Sequence, residues 1–318
     1  MMTSPQDDTG RSSASDSVME VDPVEAVMEG DSIVEVDPDG NLILLVGAQL
    51  PDKKDSPKSF RVCASALRRS SAVWKSMLFG PWKESKPASG TWSVDLPEDD
   101  PDALEVLLNI VHANFPLVPY EPDLLLLEGV LRLANKYDMV KALRPWSQAW
   151  LDVAKGSSGE ENGRRMLSVV YVGRELGQVE LQMNVMQKLV VGAANNENGQ
   201  LVTKDGFALV DDGSDLFAEI RGLQQDVLKA LPAQLNEIIS ALTFGSGRCV
   251  RPDDRSRCNS VMLGSIFKRM ARARKSVTLS LVADANESVA QLSTSIRVIA
   301  EYMTALTGHQ MCNPAGQT

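Results

Sequence analysis

Few residues of this chain combine the types and spacing that chemistry needs, and the best of them are sulfur ligands. Cys249-x8-Cys258 and His309-x2-Cys312 together offer three thiols and one imidazole, a donor set suited to zinc. Zinc knuckles, however, usually pair their ligands across two to four residues, and here the first gap is eight and the two pairs stand far apart in the chain. The simpler reading is of cysteines packed in or on a helical domain, so no metal is expected. Zinc held by Cys249, Cys258, His309 and Cys312 is the alternative.

Other catalytic signatures are missing. There is no phosphate-cradling glycine loop with Lys-Ser/Thr, no dinucleotide fingerprint, no Gly-x-Ser-x-Gly elbow and no His-Glu-x-x-His. His112 and His309 are the two histidines, so the commonest general base is scarce. His112 closes a helical pattern, where an imidazole serves as a capping and dipole partner. The acidic pairs Asp99-Asp100 and Asp211-Asp212 fall in turn or cap contexts. The expectation is a non-enzyme without a cofactor.

Trp74, Phe79, Trp82 and Trp92 cluster in sequence. Core packing explains most of them, and one or two exposed tryptophans would anchor a protein partner, because tryptophan is enriched at interface hot spots. Leu67, Trp74, Met77, Phe79 and Trp82 are accordingly the candidate protein-binding residues.

These residues must be positioned by elements that the hydrophobic pattern and the turn chemistry define. Ser32–Val36 and Asn41–Val46, separated by Asp37-Pro38-Asp39-Gly40, read as a hairpin in which Gly40 takes a positive φ. Ser59–Cys63 and Trp92–Leu96 alternate as strands. Helices are predicted over 64–69 and 72–79, the latter stopped by Gly80-Pro81. Asp100-Pro101-Asp102 starts another, with Asp as N-cap and Pro at the first helical position. Further helices follow from Pro122-Asp123 to Tyr137 and from 139 to 154, where Pro145 moves the true start to Leu143 or Arg144. Beyond the Gly/Ser/acidic stretch 156–163 the pattern is helical throughout, with no repeat of fixed period.

The 318 residues imply about two domains. The net charge is −10, and all of it belongs to residues 1–40, where eleven acids face one base, Arg11. The rest balances at 31 bases and 31 acids. Residues 1–30, with no aromatic side chain, read as a disordered acidic tail. From Arg248 to Lys275 nine bases face Asp253 and Asp254; a solvated helix face explains this more simply than nucleic-acid binding. No apolar run is long enough to cross a membrane. The first residues carry no secretory leader pattern and four cysteines are too few for a disulfide framework, so an intracellular, cytoplasmic or nuclear setting is expected, and Asn286-Glu287-Ser288 is a chance sequon.

One resemblance goes further. Val36–Gly47, Phe60-Arg61-Val62, Ala66-Leu67 through Ser70, Trp74–Leu78, Trp82–Ser85, Leu96–Leu104 and Leu133–Asp138 stand in the order and spacing of a known module. Residues 31–155 resemble the BTB/POZ domain in the divergent form common in filamentous fungi. The resemblance implies an α+β fold, a helical cluster capped on one side by a small sheet, whose usual activity is binding other proteins, often a second copy of itself. Two positions depart from the pattern: Asn41, where many members carry Asp, and Cys63-Ala64, where many carry His-Lys. In homodimerising members those charged positions help shape the dimer interface. Residues 164–318 are expected as a mostly helical C-terminal region, after a linker at 156–163. The expected function is protein interaction, by self-association or scaffolding. An alternative is a substrate adaptor for a cullin-type ubiquitin ligase, and a weaker one a nuclear DNA-associated regulator.

Overall fold

A computed structural model describes residues 33–50, 57–210, 215–244, 249, 251–274, 283–284, 286–305, 307–309 and 312. The acidic segment 1–30, Asp211-Asp212, Arg248 and Lys275 lie outside the described residues, as does the side chain of Arg274. The fold is mixed α+β. The chain divides into two compact units, the described residues up to Val118 with Lys136–Met139, and Pro119–Asn135 with those from Val140 onward.

The first unit is built on a four-stranded sheet of order β1-β3-β2-β4, from β1 (Val34–Glu35), β2 (Leu42–Val46), β3 (Lys58–Val62) and β4 (Ser93–Leu96). Leu42, Ile43 and Leu44 are all buried. Successive side chains of a strand point to opposite faces, so both faces of β2 are covered there, as its unbroken apolar run requires.

The expected hairpin between Ser32–Val36 and Asn41–Val46 is not formed. β2 pairs antiparallel with β3 (Leu44 opposite Phe60), and β1 lies parallel on the far side of β3 (Val34 opposite Phe60). The turn itself exists, with the Gly40 N–H donating to the Asp37 carbonyl at 2.9 Å and the Asp37 N–H to that of Arg61 at 3.1 Å. It carries the chain over the end of β3 instead of folding β1 onto β2. At that crossing a Cβ on Gly40 would stand 2.8 Å from the backbone of Val62. Gly40 is therefore needed for its missing side chain, and the positive φ expected of it is not found.

Helices α1 (Ala64–Ser70), α2 (Ala72–Phe79) and α3 (Pro101–Val111) complete this unit. Ser71 caps α2, its hydroxyl accepting from the Trp74 N–H at 3.0 Å. Asp100 caps α3 as its sequence predicts, accepting from the Asp102 and Ala103 N–H groups with Pro101 at the first helical position.

The second unit is mostly helical. Its helices are α4 (Leu124–Lys136, whose last residue belongs to the first unit), α5 (Ser147–Gly156), α6 (Gly163–Glu175), α7 (Val179–Gly192), α8 (Leu216–Ala230), α9 (Ala233–Thr243), α10 (Arg255–Arg274) and α11 (Val289–Glu301). The helix expected from 139 begins as a 3-10 turn, Val140–Leu143, and becomes α-helical only at Ser147, beyond Pro145. The stretch 156–163 lies within this unit as a tight corner: α5 ends at Gly156, Ser157–Gly159 form a 3-10 turn, and Asn162 caps α6 by accepting from the Arg165 N–H.

A small antiparallel pair, β5 (Ala194–Asn195) and β6 (Leu201–Val202), interrupts the expected helical run. The dipeptide Asn198-Gly199, with Gly199 at φ 73°, is the signal that could have announced it. Just beyond it, the Asp205 carboxylate accepts from the Gly163 N–H at the start of α6 at 3.0 Å and from the Thr203 hydroxyl at 2.5 Å. The Thr203 bond first, then the Gly163 bond, holds this carboxyl below its ordinary value.

Gly163 has no room for a side chain, because a Cβ there would meet the Thr203 hydroxyl at 2.3 Å and its Cβ at 2.9 Å. Gly163→Ala should therefore destabilise the protein by about 1–3 kcal/mol, against the gain that alanine normally brings to a helix. Urea denaturation of the variant checks this, and Thr203→Ser in the same chain should recover part of the loss.

Candidate functional site

Two places in the molecule gather the residues that the sequence singles out, one in each unit. In the first, the aromatic cluster separates into core and surface. Leu67 and Trp74 are fully buried, so they support the fold and offer nothing to a partner. Trp74 stacks on Tyr137 with ring centroids 4.4 Å apart, and the Tyr137 hydroxyl donates to the buried Asp99 carboxylate. Met77 is half-buried. Phe79 and Trp82, by contrast, are 42% and 60% exposed.

The exposed pair is held in place from beneath. Phe79 lies at the end of α2, edge-on to Trp92 at 5.9 Å and beneath the Arg68 guanidinium at 5.1 Å. Trp82 follows Gly80, whose missing side chain leaves room for the indole; a Cβ there would meet the ring at 3.0 Å. The Ser85 N–H donates to the Trp82 carbonyl, and the buried Trp92 indole donates to the Glu84 carbonyl at 2.9 Å, which pins that turn. Beside the Phe79 ring runs a shallow groove lined by Arg68, Ala72, Lys75, Ser76, Phe79 and Gly80.

Asn41 and the pair Cys63-Ala64 meet each other. The Asn41 side-chain oxygen accepts from the Ala64 N–H at 3.0 Å, and the Cys63 N–H donates to His112 Nε2 at 3.0 Å. His112 Nδ1 lies 2.8 Å from the Leu108 carbonyl, four residues back in its own helix. The histidine thus ties the C-terminus of α3 to the N-terminus of α1, a structural duty that fits its expected capping place.

In the second unit, Cys249, Cys258, His309 and Cys312 come together. All four are buried, and their candidate ligand atoms lie within 4.8 Å of one another. His309 Nδ1 stands 3.3 Å from Cys249 Sγ and 4.0 Å from Cys312 Sγ, while its other nitrogen, Nε2, faces the Asp254 carboxylate at 3.4 Å. The cysteines carry thiols, with no disulfide among them.

Local structure explains the convergence. Cys258, Met262, Ile266 and Met270 recur at a spacing of four along α10 and form its buried stripe. That stripe packs with Leu235, Ile239 and Leu242 of α9 and with Leu292 and Ile299 of α11. Cys258 is thus fixed on the inner face near the start of α10. After α11, the Thr304 N–H donates to Ser265 Oγ at 3.1 Å, returning the chain to α10. A turn in which the Cys312 N–H donates to the His309 carbonyl at 2.8 Å then presents both residues to the same point.

Of the basic segment, Arg251, Arg255, Arg257, Lys268 and Arg272 are exposed, while Arg269 lies over the Tyr302 ring at 4.4 Å. No helix among the described residues is long and apolar enough to cross a membrane. No protein-family model, curated protein or solved structure matches this chain.

Proposed function

We propose that this chain is a protein-interaction module that associates with a second copy of itself through the outer face of α1 and α2. The observation that carries the reading is the exposed aromatic pair Phe79 and Trp82, of which Phe79 lines a groove and Trp82 follows three residues later. Large aromatics held rigidly at the surface cost little side-chain entropy on docking and dominate interface energetics.

A two-fold interface needs one patch that is complementary to itself. An indole that stands out beside a shallow groove meets that need, because each copy can place Trp82 in the groove of the other. The BTB/POZ-like resemblance of residues 31–155 supports the same reading, and the small sheet beside helices agrees with the architecture that the resemblance implies. Asn41 and Cys63, which stand where homodimerising members carry charge, are engaged with α1 and His112. The proposed contact therefore uses the α1–α2 face.

Size-exclusion chromatography with light scattering tests this on the full chain. A dimer at tens of micromolar is expected, and Trp82→Ala should weaken it by about 2 kcal/mol, roughly thirtyfold in Kd. Because Trp82 is exposed, the unfolding midpoint of the variant should match that of the wild type. A strict monomer at that concentration overturns the reading, and co-purification of a cullin-type scaffold with that monomer would favour the adaptor alternative. A dimer indifferent to Trp82→Ala removes the proposed surface.

A further inference from the structure

We propose that Cys249, Cys258, His309 and Cys312 bind one structural zinc ion that closes the C-terminal helical unit. Bond lengths of about 2.3 Å to sulfur and 2.0 Å to nitrogen give a zinc tetrahedron edges of roughly 3.5–3.8 Å. The separations of His309 Nδ1 from Cys249 Sγ and Cys312 Sγ, 3.3 and 4.0 Å, bracket that range, and the widest spacing within the set is 4.8 Å. Closing the widest spacing by about 1 Å brings the set to ligand geometry.

The donor chemistry discriminates among metals. Three thiolates and one imidazole suit zinc, whereas magnesium and calcium take oxygen ligands. Four protein ligands leave no open coordination position, which is the arrangement of a structural and not a catalytic zinc.

A second observation points the same way. A histidine that ligates a metal through one nitrogen donates its other N–H to a carboxylate or carbonyl, which fixes the tautomer and orients the ring. His309 presents Nδ1 to the sulfurs and Nε2 to Asp254 at 3.4 Å. Asp254 is itself held at the start of α10, its carbonyl accepting from the Cys258 N–H at 2.8 Å. The residue that orients the imidazole is thus tied to the residue that supplies a thiolate.

Binding is balanced by proton release. Zn²⁺ replaces the three thiol protons while histidine coordinates as the neutral imidazole, so the site changes from neutral to a net −1.

The site joins Cys249, which precedes α10, the first turn of α10 and the residues beyond α11, spanning sixty residues from Cys249 to His309. A metal absent from the unfolded state adds its binding energy directly to folding.

The full chain, expressed with zinc supplied and purified without chelator, tests this by elemental analysis. One zinc per chain is expected, with loss of the metal in Cys258→Ser and retention in Cys63→Ser, whose thiol lies in the other unit. Replacement by cobalt should give the visible absorption of a tetrahedral ion together with thiolate charge transfer. Because Cys258→Ser can unfold the unit, Asp254→Asn provides a milder measurement: it keeps all four ligands and should lower zinc affinity about 10–100-fold in a chelator competition. Zinc-free protein that fails to take up cobalt overturns the proposal, as does a disulfide between any two of Cys249, Cys258 and Cys312. Zinc retained undiminished by Cys258→Ser also overturns it.

Discussion

Asp99→Ala should cost the fold about 3–5 kcal/mol, because it removes the acceptor from a buried hydroxyl and the partner from a charge. Asp99 is 1% exposed, and it accepts from the Lys136 ammonium at 2.5 Å and from the Tyr137 hydroxyl. Tyr137 is itself buried and stacked on Trp74, so its orphaned O–H would face the interior. Lys136 is half exposed and loses less. Asp99→Asn keeps an acceptor for the phenol and should cost about 1–2 kcal/mol. Urea denaturation measures both, and near-ultraviolet circular dichroism should report the loosened Trp74–Tyr137 stack in Asp99→Ala alone.

The same contact has a signature at high pH. Burial first, then the Asp99 charge and hydrogen bond, push the Tyr137 phenol well above its ordinary value of 10.0. A raised value in the folded state means that the folded protein holds its proton more tightly than the unfolded one. The stability tied to the neutral phenol is therefore complete below about pH 10 and is lost progressively as the pH rises above it. This alkaline loss should shrink in Asp99→Asn.

Glu128→Ala is the second large effect, at about 3 kcal/mol. Glu128 is 2% exposed on α4 and accepts from Arg132 at 2.9 Å and from Arg164 and Ser168 at 2.6 Å each. Its loss takes the carboxylate from two guanidinium groups and a buried hydroxyl, although Ser168 can still donate to the Arg164 carbonyl at 3.0 Å and Arg164 to the Ser168 hydroxyl at 2.9 Å. The arginines keep partial access to water, and Arg132 retains the face of Tyr171 at 4.4 Å, which holds the cost to the lower end of the range for a broken buried pair. Glu128→Gln, which preserves the shape and one acceptor, should lose about half as much. Thermal and urea unfolding of both variants check the order.

Neither carboxylate could be singled out in the sequence. Asp99 precedes a capping aspartate and reads as part of the same turn, and Glu128 stands in an amphipathic helix where a lone acid normally faces water. What buries them is tertiary: Lys136 and Tyr137 approach Asp99 from a segment 37 and 38 residues away, and Arg164 and Ser168 reach Glu128 from α6. Local signals served better. The cap and proline at Asp100-Pro101 marked the start of α3, and Gly80 the end of α2. The hairpin reading of residues 32–46 failed because a good turn says that the chain reverses without saying which strand lies beside which. The sulfur cluster was visible as a donor set, but the knuckle spacing argued against it. That spacing describes ligands from a single turn, and here two helices packed through Met262, Ile266, Leu292 and Ile299 supply the proximity instead.

The strand order carries a consequence for folding. β2 and β3 are the one neighbouring pair of the sheet that a direct connection joins in antiparallel register. β1 and β4 each lie parallel to their neighbour, so neither can be added by a tight turn. β1 must be carried across the end of β3 at Gly40, and β4 reaches β2 only after α1 and α2 have been traversed. The central pair is thus the local nucleus, while the flanking strands close long loops whose entropy must be met by helices already in place. Sheet and helices of this unit should therefore be gained and lost together, as one cooperative transition.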